Sequence, residues 1–206
     1  MRKFPYPHKI IMEQYLKEAA ENTRKARDII DELNVVTAWE AIGAEVRQVG
    51  SLAMGLMMKH RDIDFHIYTP TLDPAADFGV MAKLAGNKSV KRMEYTNLSD
   101  TEEACMEWHV WKEDNDGDLW QIDMIHIVAG SRYDGYFENM ARRIAEVMTE
   151  EQRRTILKLK YDTPDNEKIM GVEYYQAVIR DGISTYSELE KWRKENPISG
   201  IVEWIP

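Results

Sequence analysis

The sequence predicts an α+β fold, in which a mixed β-sheet is flanked by helices and followed by a C-terminal helical segment. Apolar residues recur at helical spacing near the N-terminus, alternate with polar residues in the middle of the chain, and return to helical spacing after Gly130. Strands and helices do not alternate regularly, which disfavours a doubly wound parallel sheet. We therefore predict a core over residues 1–130, made of the N-terminal helix and the mixed sheet, and a helical region over residues 131–206 that packs on it.

Periodicity predicts the elements of the first third of the chain. Apolar residues spaced three and four apart indicate helices, and strict alternation indicates a strand. Asn34 tolerates left-handed backbone and is expected to end the first helix. The predicted elements are a long helix over 10–33, a short helix over 35–43, a strand over 45–49, a compact helix over 51–58 and a strand over 62–68.

Turn and cap residues mark the later elements. Asp116-Gly117 is typical of a hairpin turn. The pairs Thr149 with Gln152 and Thr185 with Glu188 have the spacing of capping boxes, which begin helices. The predicted elements are a helix over 75–85, a strand over 90–96, hairpin strands over 105–111 and 119–128, and helices over 136–147, 149–161, 169–179 and 185–196.

Composition and charge restrict the class of partner. The chain has 206 residues, and no apolar run approaches the ~20 residues of a membrane span, so we expect no membrane partner. Its 27 basic and 36 acidic side chains give a net charge of −9, which repels a polyanion and argues against extended nucleic acid as a partner. A single cysteine, Cys105, argues against a disulfide framework and favours a cytoplasmic location. The sequence gives no prediction of the oligomeric state.

One stretch, residues 49–67, carries the candidate chemistry. Gly50-Ser51 follows a predicted strand and leads into a helix, where backbone N–H groups and a hydroxyl can hold a phosphate. Asp62 and Asp64 share one face of the next strand, roughly 7 Å apart along it. Like charges this close favour a hard divalent cation such as Mg²⁺ between them. The sequence therefore predicts a phosphate-binding turn next to a metal site.

Further candidates lie on either side of this pair. Asp123 is a lone acid in an apolar strand, which is unfavourable unless the carboxylate is paired or coordinated. It would complete a set of carboxylates for two metal ions, or alternatively form a structural salt bridge. Lys59 and Arg61 directly precede the acids and are candidates for binding phosphate, or for a solvated basic corner. His66 is either a substrate contact or a structural histidine.

This pattern resembles the DNA polymerase β-like nucleotidyltransferase superfamily, and most closely its small stand-alone and antibiotic-modifying members. The resemblance covers residues 44–128. Val49-Gly50-Ser51 matches the family's hydrophobic-Gly-Ser turn, and Asp62-Ile63-Asp64-Phe65 matches its Asp-hydrophobic-Asp-hydrophobic strand. Asp123 corresponds to the lone acid on a later strand. The resemblance implies a polymerase β-like mixed sheet.

The resemblance also implies roles for these residues. Asp62 and Asp64 would bind two Mg²⁺ ions, with Mn²⁺ as an alternative. Asp123 would bind the catalytic ion and help to activate the acceptor hydroxyl. Gly50 and Ser51 would contact the triphosphate of the nucleotide.

The implied reaction transfers a nucleoside monophosphate from an NTP, with ATP favoured, to a hydroxyl of a small molecule, and releases pyrophosphate. An aminoglycoside- or lincosamide-like compound is one such acceptor. Two alternatives stay open. One is nucleotidylation of a protein target, and the other is a non-catalytic module of the same fold that binds a nucleotide or a partner, as an antitoxin does.

Overall fold

The computed structural model describes residues 7–198 and 200–206, with side chains from residue 14 onward. Residues 1–6 of the predicted core therefore lie outside the described residues. The elements described are α1 (Pro7–Leu33), α2 (Val35–Glu40), β1 (Glu45–Val49), α3 (Gly50–Ala53), β2 (Asp62–Thr69), α4 (Pro74–Ala85), β3 (Val90–Asn97), β4 (Cys105–Glu113), β5 (Leu119–Val128), α5 (Tyr136–Val147), α6 (Glu150–Asp162), α7 (Gly171–Tyr175), a π-helical segment (Gln176–Arg180) and α8 (Tyr186–Glu195).

The five strands of the described chain form one mixed sheet. Their order is β1-β2-β5-β4-β3, in which β2 and β5 are parallel and the other neighbouring pairs are antiparallel. The parallel pair lies at the centre of the order, and helix α4, strand β3 and strand β4 lie between its two members in sequence. The sheet with its flanking helices confirms the predicted α+β class.

Alternation along the strands gives the sheet two different faces. On β2, Ile63, Phe65 and Ile67 are buried in a core that the sheet shares with α1, α2 and α4. The polar residues of the same strand, which include Asp62 and Asp64, lie on the opposite face. One face of the sheet therefore makes the core, and the other is available for a site.

Two hydrophobic clusters share the first helix. The first cluster takes Ala26 and Ile29 from the C-terminal half of α1 and packs them against the sheet. The second takes Tyr15 and Ala19 from the N-terminal half and packs them with residues of the C-terminal helices. Helix α1 therefore contributes to both clusters, and the division at residue 130 stays a prediction.

Several predicted helix ends differ from the observed ones. The compact helix predicted over 51–58 ends at Ala53, because Gly55 has φ of 69° and turns the chain. The helix predicted over 169–179 begins at Gly171 and passes into the π-helical segment. The short second helix ends at Glu40. Asn34 has φ of 52°, which confirms it as the end of the first helix.

Both predicted capping boxes are present. The Thr149 and Thr185 side chains accept hydrogen bonds from the backbone of Gln152 and Glu188, whose side chains accept from the cap residues in return. None of the described helices combines the length and the apolar character that crossing a bilayer requires.

Candidate active site

Three aspartates meet on the polar face of the sheet, where β2 and β5 run parallel. The register pairs Asp64 with Asp123, and it pairs Asp62 with Gln121 two positions earlier. Side chains at paired positions point to the same face of a sheet, so all three carboxylates face the same side. The structure thus brings Asp123 beside the local Asp-x-Asp pair.

Burial and neighbouring carboxylates raise the pKa values of Asp62 and Asp64. Burial, followed by the charges of Asp123 and Asp62, raises the pKa of Asp64 to about 7. Burial and the charge of Asp123 also raise the pKa of Asp62. A group of mutually repelling carboxylates offers only oxygen donors, which are the ligands that Mg²⁺ prefers. The donor set and its excess negative charge fit a divalent cation.

The turn between β1 and β2 packs directly against one of these acids. Gly50 has φ of 69°, in the left-handed region that favours glycine. A methyl group on Gly50 would lie 2.6 Å from Asp64 Cγ and 2.9 Å from its Cβ, well inside van der Waals contact. Glycine therefore allows the turn both to adopt this backbone and to approach the carboxylate.

A buried lysine from the C-terminal helices reaches the same turn. Lys160, on α6, is 6% exposed, and its Nζ donates to Ser51 Oγ at 2.8 Å and to the Leu56 carbonyl at 3.0 Å. Ser51 Oγ also lies 3.1 Å from the hydroxyl of Tyr175 on α7. The predicted phosphate-binding turn therefore has a cation beside it, which the sequence reasoning missed. The available signal was a lysine four residues after Ile156, at a position expected to be apolar.

These groups line one cavity of about 310 Å³. All three aspartates, Gly50-Ser51 and Lys160 line it, together with His60 and His66. The remaining wall is largely apolar and comes mostly from the turn after α3 and from the C-terminal helices. Its members include Met54, Met58, Phe137, Met140, Met170, Val172 and Tyr175.

Lys59 and Arg61 do not line this cavity. Lys59 Nζ donates to the Thr163 carbonyl at 2.6 Å and pairs with Asp165 at 2.8 Å. Arg61 pairs with Asp118 at 2.8 Å. Both residues line a neighbouring polar cleft of about 370 Å³, which His60 shares with the cavity.

His66 and Asp123 are both hydrogen-bonded within the site. His66 Nδ1 lies 3.3 Å from Glu138 Oε1, which also accepts from the hydroxyl of Tyr68 at 2.7 Å. Asp123 Oδ1 lies 2.5 Å from His109 Nδ1 and accepts from Gln121 Nε2 at 2.8 Å. His109 and Gln121 were not connected with the site by the sequence analysis.

A second, smaller cavity of about 210 Å³ adjoins the first. The two share His66, Ile125 and Phe137, and the smaller one is also lined by Glu103 and Glu107. Its remaining lining residues are Cys105, Ile127, Tyr133 and Ile201.

Glu103 and Glu107 lie close to Cys105, the single cysteine of the sequence. Ligand atoms of Glu103, Cys105 and Glu107 all lie within 4.8 Å of one another, a spacing that could hold a metal ion. Burial and the two glutamates raise the pKa of the Cys105 thiol to about 12, which disfavours the thiolate that a metal would need.

No family model matches the chain, and no curated protein matches it. Solved structures do. The Cid1 poly(U) polymerase with MgGTP bound superposes with a TM-score of 0.57 at 14% identity, over 83% of this chain and 55% of that one. A cytoplasmic RNA terminal U-transferase gives 0.53 at 14%, over 83% and 54%. The non-canonical poly(A) polymerase complex GLD-2–GLD-3 gives 0.52 at 12%, over 82% and 57%.

These likenesses show the fold of the chain. It is the polymerase β-like nucleotidyltransferase fold, as the motif pattern predicted. The chain spans a little over half the length of each of these structures.

Proposed function

We propose that this chain is a metal-dependent nucleotidyltransferase, which moves a nucleoside monophosphate from an NTP to an acceptor hydroxyl and releases pyrophosphate. The observation that carries the proposal is the meeting of three carboxylates from two parallel strands with the Gly50-Ser51 turn and a buried lysine in one cavity. The similar solved structures support the proposal, because they are those of poly(U) and poly(A) polymerases and one of them has MgGTP bound.

Each residue has a proposed role in this reaction. Asp62, Asp64 and Asp123 would hold two Mg²⁺ ions, with Mn²⁺ as an alternative. When bound, the ions would supply charge neutralisation for the attacking and leaving oxygens of the displacement. Asp123 would also help to activate the acceptor hydroxyl.

The nucleotide would be held by other groups of the same cavity. The backbone of Gly50-Ser51, the Ser51 hydroxyl and the Lys160 ammonium would bind the outer phosphates. Lys59 and Arg61 would meet phosphate farther out, in the polar cleft, by exchanging their present carboxylate partners for it. We propose ATP as the favoured nucleotide.

The acceptor we propose is a small hydroxylated molecule that carries amines, as aminoglycosides do. The adjoining cavity of about 210 Å³ shares His66 and Phe137 with the site. Glu103 and Glu107 give it negative charge beside the aromatic rings of Tyr133 and Phe137. Such walls suit a cationic acceptor and disfavour a polyanion, as does the net charge of −9.

An RNA 3′ hydroxyl is the second candidate acceptor. The observation that favours it is that the similar folds belong to poly(U) and poly(A) polymerases. Incubating the protein with labelled ATP and either kanamycin-type aminoglycosides or short RNA separates the two by which compound gains label. A protein acceptor would appear as labelled protein in the same gel, and no labelled acceptor of any kind would favour the binding-module alternative.

A cytoplasmic location stays a prediction from the single cysteine.

Calorimetric titration tests the proposed nucleotide site directly. We expect non-hydrolysable ATP or GTP to bind the wild-type protein in the micromolar range with Mg²⁺ and much more weakly without it, because phosphate and carboxylates repel one another until a cation lies between them. Asp62→Asn should lose the Mg²⁺-dependent part. Equal binding with and without Mg²⁺, or none at all, would contradict the proposal.

Lys160→Met is expected to weaken NTP binding by about 10- to 100-fold, the worth of one charge-assisted hydrogen bond. The same change should affect a nucleoside monophosphate less, because that ligand lacks the outer phosphates. Lys158→Met is the matched control, since Lys158 lies two residues away on the same helix, its side chain is 44% exposed and it pairs with Asp162. Equal losses in the two variants would remove Lys160 from the phosphate site.

A further inference from the structure

We infer that His109, together with Gln121, is a positioning residue that orients the Asp123 carboxylate so that one chosen oxygen faces the metal site. The inference rests on the proposed function, because it concerns how the third carboxylate of that site is held. It adds two residues to the site that the motif pattern does not contain.

The fold places His109 directly opposite Asp123. The antiparallel pairing of β4 with β5 sets the two residues in register, while the parallel pairing of β5 with β2 sets Asp64 on the other side of Asp123. The row Asp64, Asp123, His109 therefore crosses three adjacent strands on one face of the sheet. Directly opposed side chains have Cβ atoms only about 5 Å apart, which is within reach of an imidazole and a carboxylate.

The hydrogen bonds select one oxygen of the carboxylate. A carboxylate oxygen only accepts, so His109 Nδ1 is the donor in its 2.5 Å contact with Asp123 Oδ1. Gln121 Nε2 donates to the same Oδ1 at 2.8 Å, from two residues earlier on the same strand. Two donors use both lone pairs of Oδ1. Within the described residues Oδ2 accepts no hydrogen bond, which leaves it as the oxygen for a cation.

The imidazole is itself held in place. Its second nitrogen, Nε2, lies 3.8 Å from Glu107 Oε2, on the same strand and the same face as His109. The side chains of His109, Glu107 and Asp123 are each about one quarter exposed, at 24%, 27% and 21%. The ring therefore lies between two carboxylates, hydrogen-bonded to Asp123 and at ion-pair distance from Glu107, and this arrangement favours one orientation of the Asp123 carboxylate. Partners of this kind behind a metal ligand are worth about 10- to 100-fold in metal affinity or activity.

The inference can be tested without turnover by measuring the affinity for Mn²⁺ calorimetrically in the presence of a non-hydrolysable ATP analogue. We expect His109→Ala to weaken Mn²⁺ binding about 10- to 100-fold. His109→Asn should retain most of the affinity, because the asparagine side-chain amide places a donor where Nδ1 lies. His109→Gln should retain less, since its amide corresponds to the Nε2 position. Gln121→Ala, which leaves the histidine in place, should show a smaller loss than His109→Ala.

A matched control and two distinct contrary outcomes complete the test. Glu94→Gln is the matched control, because Glu94 pairs with His109 from the other side on the same face and does not contact Asp123. Once an acceptor is known, His109→Ala should, at saturating Mn²⁺, lower kcat and leave KM for the NTP nearly unchanged. Wild-type affinity in folded His109→Ala, or an Asn variant as weak as the Ala variant, would overturn the inference alone. Failure of the wild-type protein to bind Mn²⁺ would instead overturn the proposed function.

Discussion

Asp64→Asn is expected to stabilise the metal-free protein while abolishing metal-supported nucleotide binding. The pKa of Asp64 is raised to about 7 by burial and by Asp123 and Asp62. The unfolded chain therefore releases this proton near pH 4 and the folded chain only near pH 7, so stability falls as the pH rises through that window. The rise of this pKa from 3.8 to about 7 corresponds to about 4 kcal/mol at pH 8. Asparagine has no charge to bury but still buries a polar amide, so we expect about 2 kcal/mol of net added stability.

Thermal melting in EDTA measures this effect. A gain of about 2 kcal/mol corresponds to a rise in Tm of roughly 4 to 8 °C for a chain of this size, and the rise should vanish at pH 4. Added Mg²⁺ with nucleotide should reverse the order, because only the wild-type protein binds them. The control is Asp28→Asn, at an exposed ion pair on α1, which should change stability by less than about 0.5 kcal/mol at any pH. A variant at residue 64 that melts below the wild-type protein in EDTA at pH 8 would contradict the electrostatic description of the site.

Gly50→Ala is expected to remove metal-supported nucleotide binding with a modest loss of stability. The new methyl group must displace the Asp64 carboxylate, which then no longer presents its oxygens to the metal ion that supports nucleotide binding. The left-handed backbone adds about 1 kcal/mol of strain. Calorimetry of nucleotide binding and thermal melting separate the two effects.

Gly182→Ala is the matched control for this substitution. Gly182 has the same φ of 69°, but nothing lies within 4 Å of the position of its added methyl group. It should therefore show the strain without the loss of binding. If Gly182→Ala and Gly50→Ala lose binding equally, close packing of the turn against Asp64 is not what the site requires.

The parts of the site that were predictable are those whose spacing is local in sequence. Gly50-Ser51 and the pair of aspartates on β2 lie within 15 residues of one another, so strand alternation and turn chemistry were enough to place them together. Asp123 was predictable because a charged residue is unfavourable in an apolar strand unless it is paired or coordinated. Its neighbour Asp64 on β2 follows from the strand order, which cannot be read from the sequence.

The residues that were missed act through contacts distant in sequence. Lys160 joins the turn from 109 residues away, and its burial depends on how α6 packs rather than on α6 itself. His109 lies 14 residues before Asp123, and only the register of the hairpin, fixed by its turn, sets the two face to face. A shift by one residue would have placed the histidine in the apolar core. The end of the compact helix at Ala53 and the π-helical segment after Tyr175 were missed, because left-handed Gly55 and a π turn leave no periodic signal.

Helix α1 contributes residues to both hydrophobic clusters, and this restricts how the protein can move. A 27-residue helix is about 40 Å long, and a rigid rod anchored at both ends resists a hinge between the bodies it joins. Substrates should therefore be admitted by local rearrangement of side chains and turns rather than by rotation of two halves. Amide hydrogen exchange should accordingly show the middle of α1 opening together with the central strands, in one cooperative event that requires global unfolding.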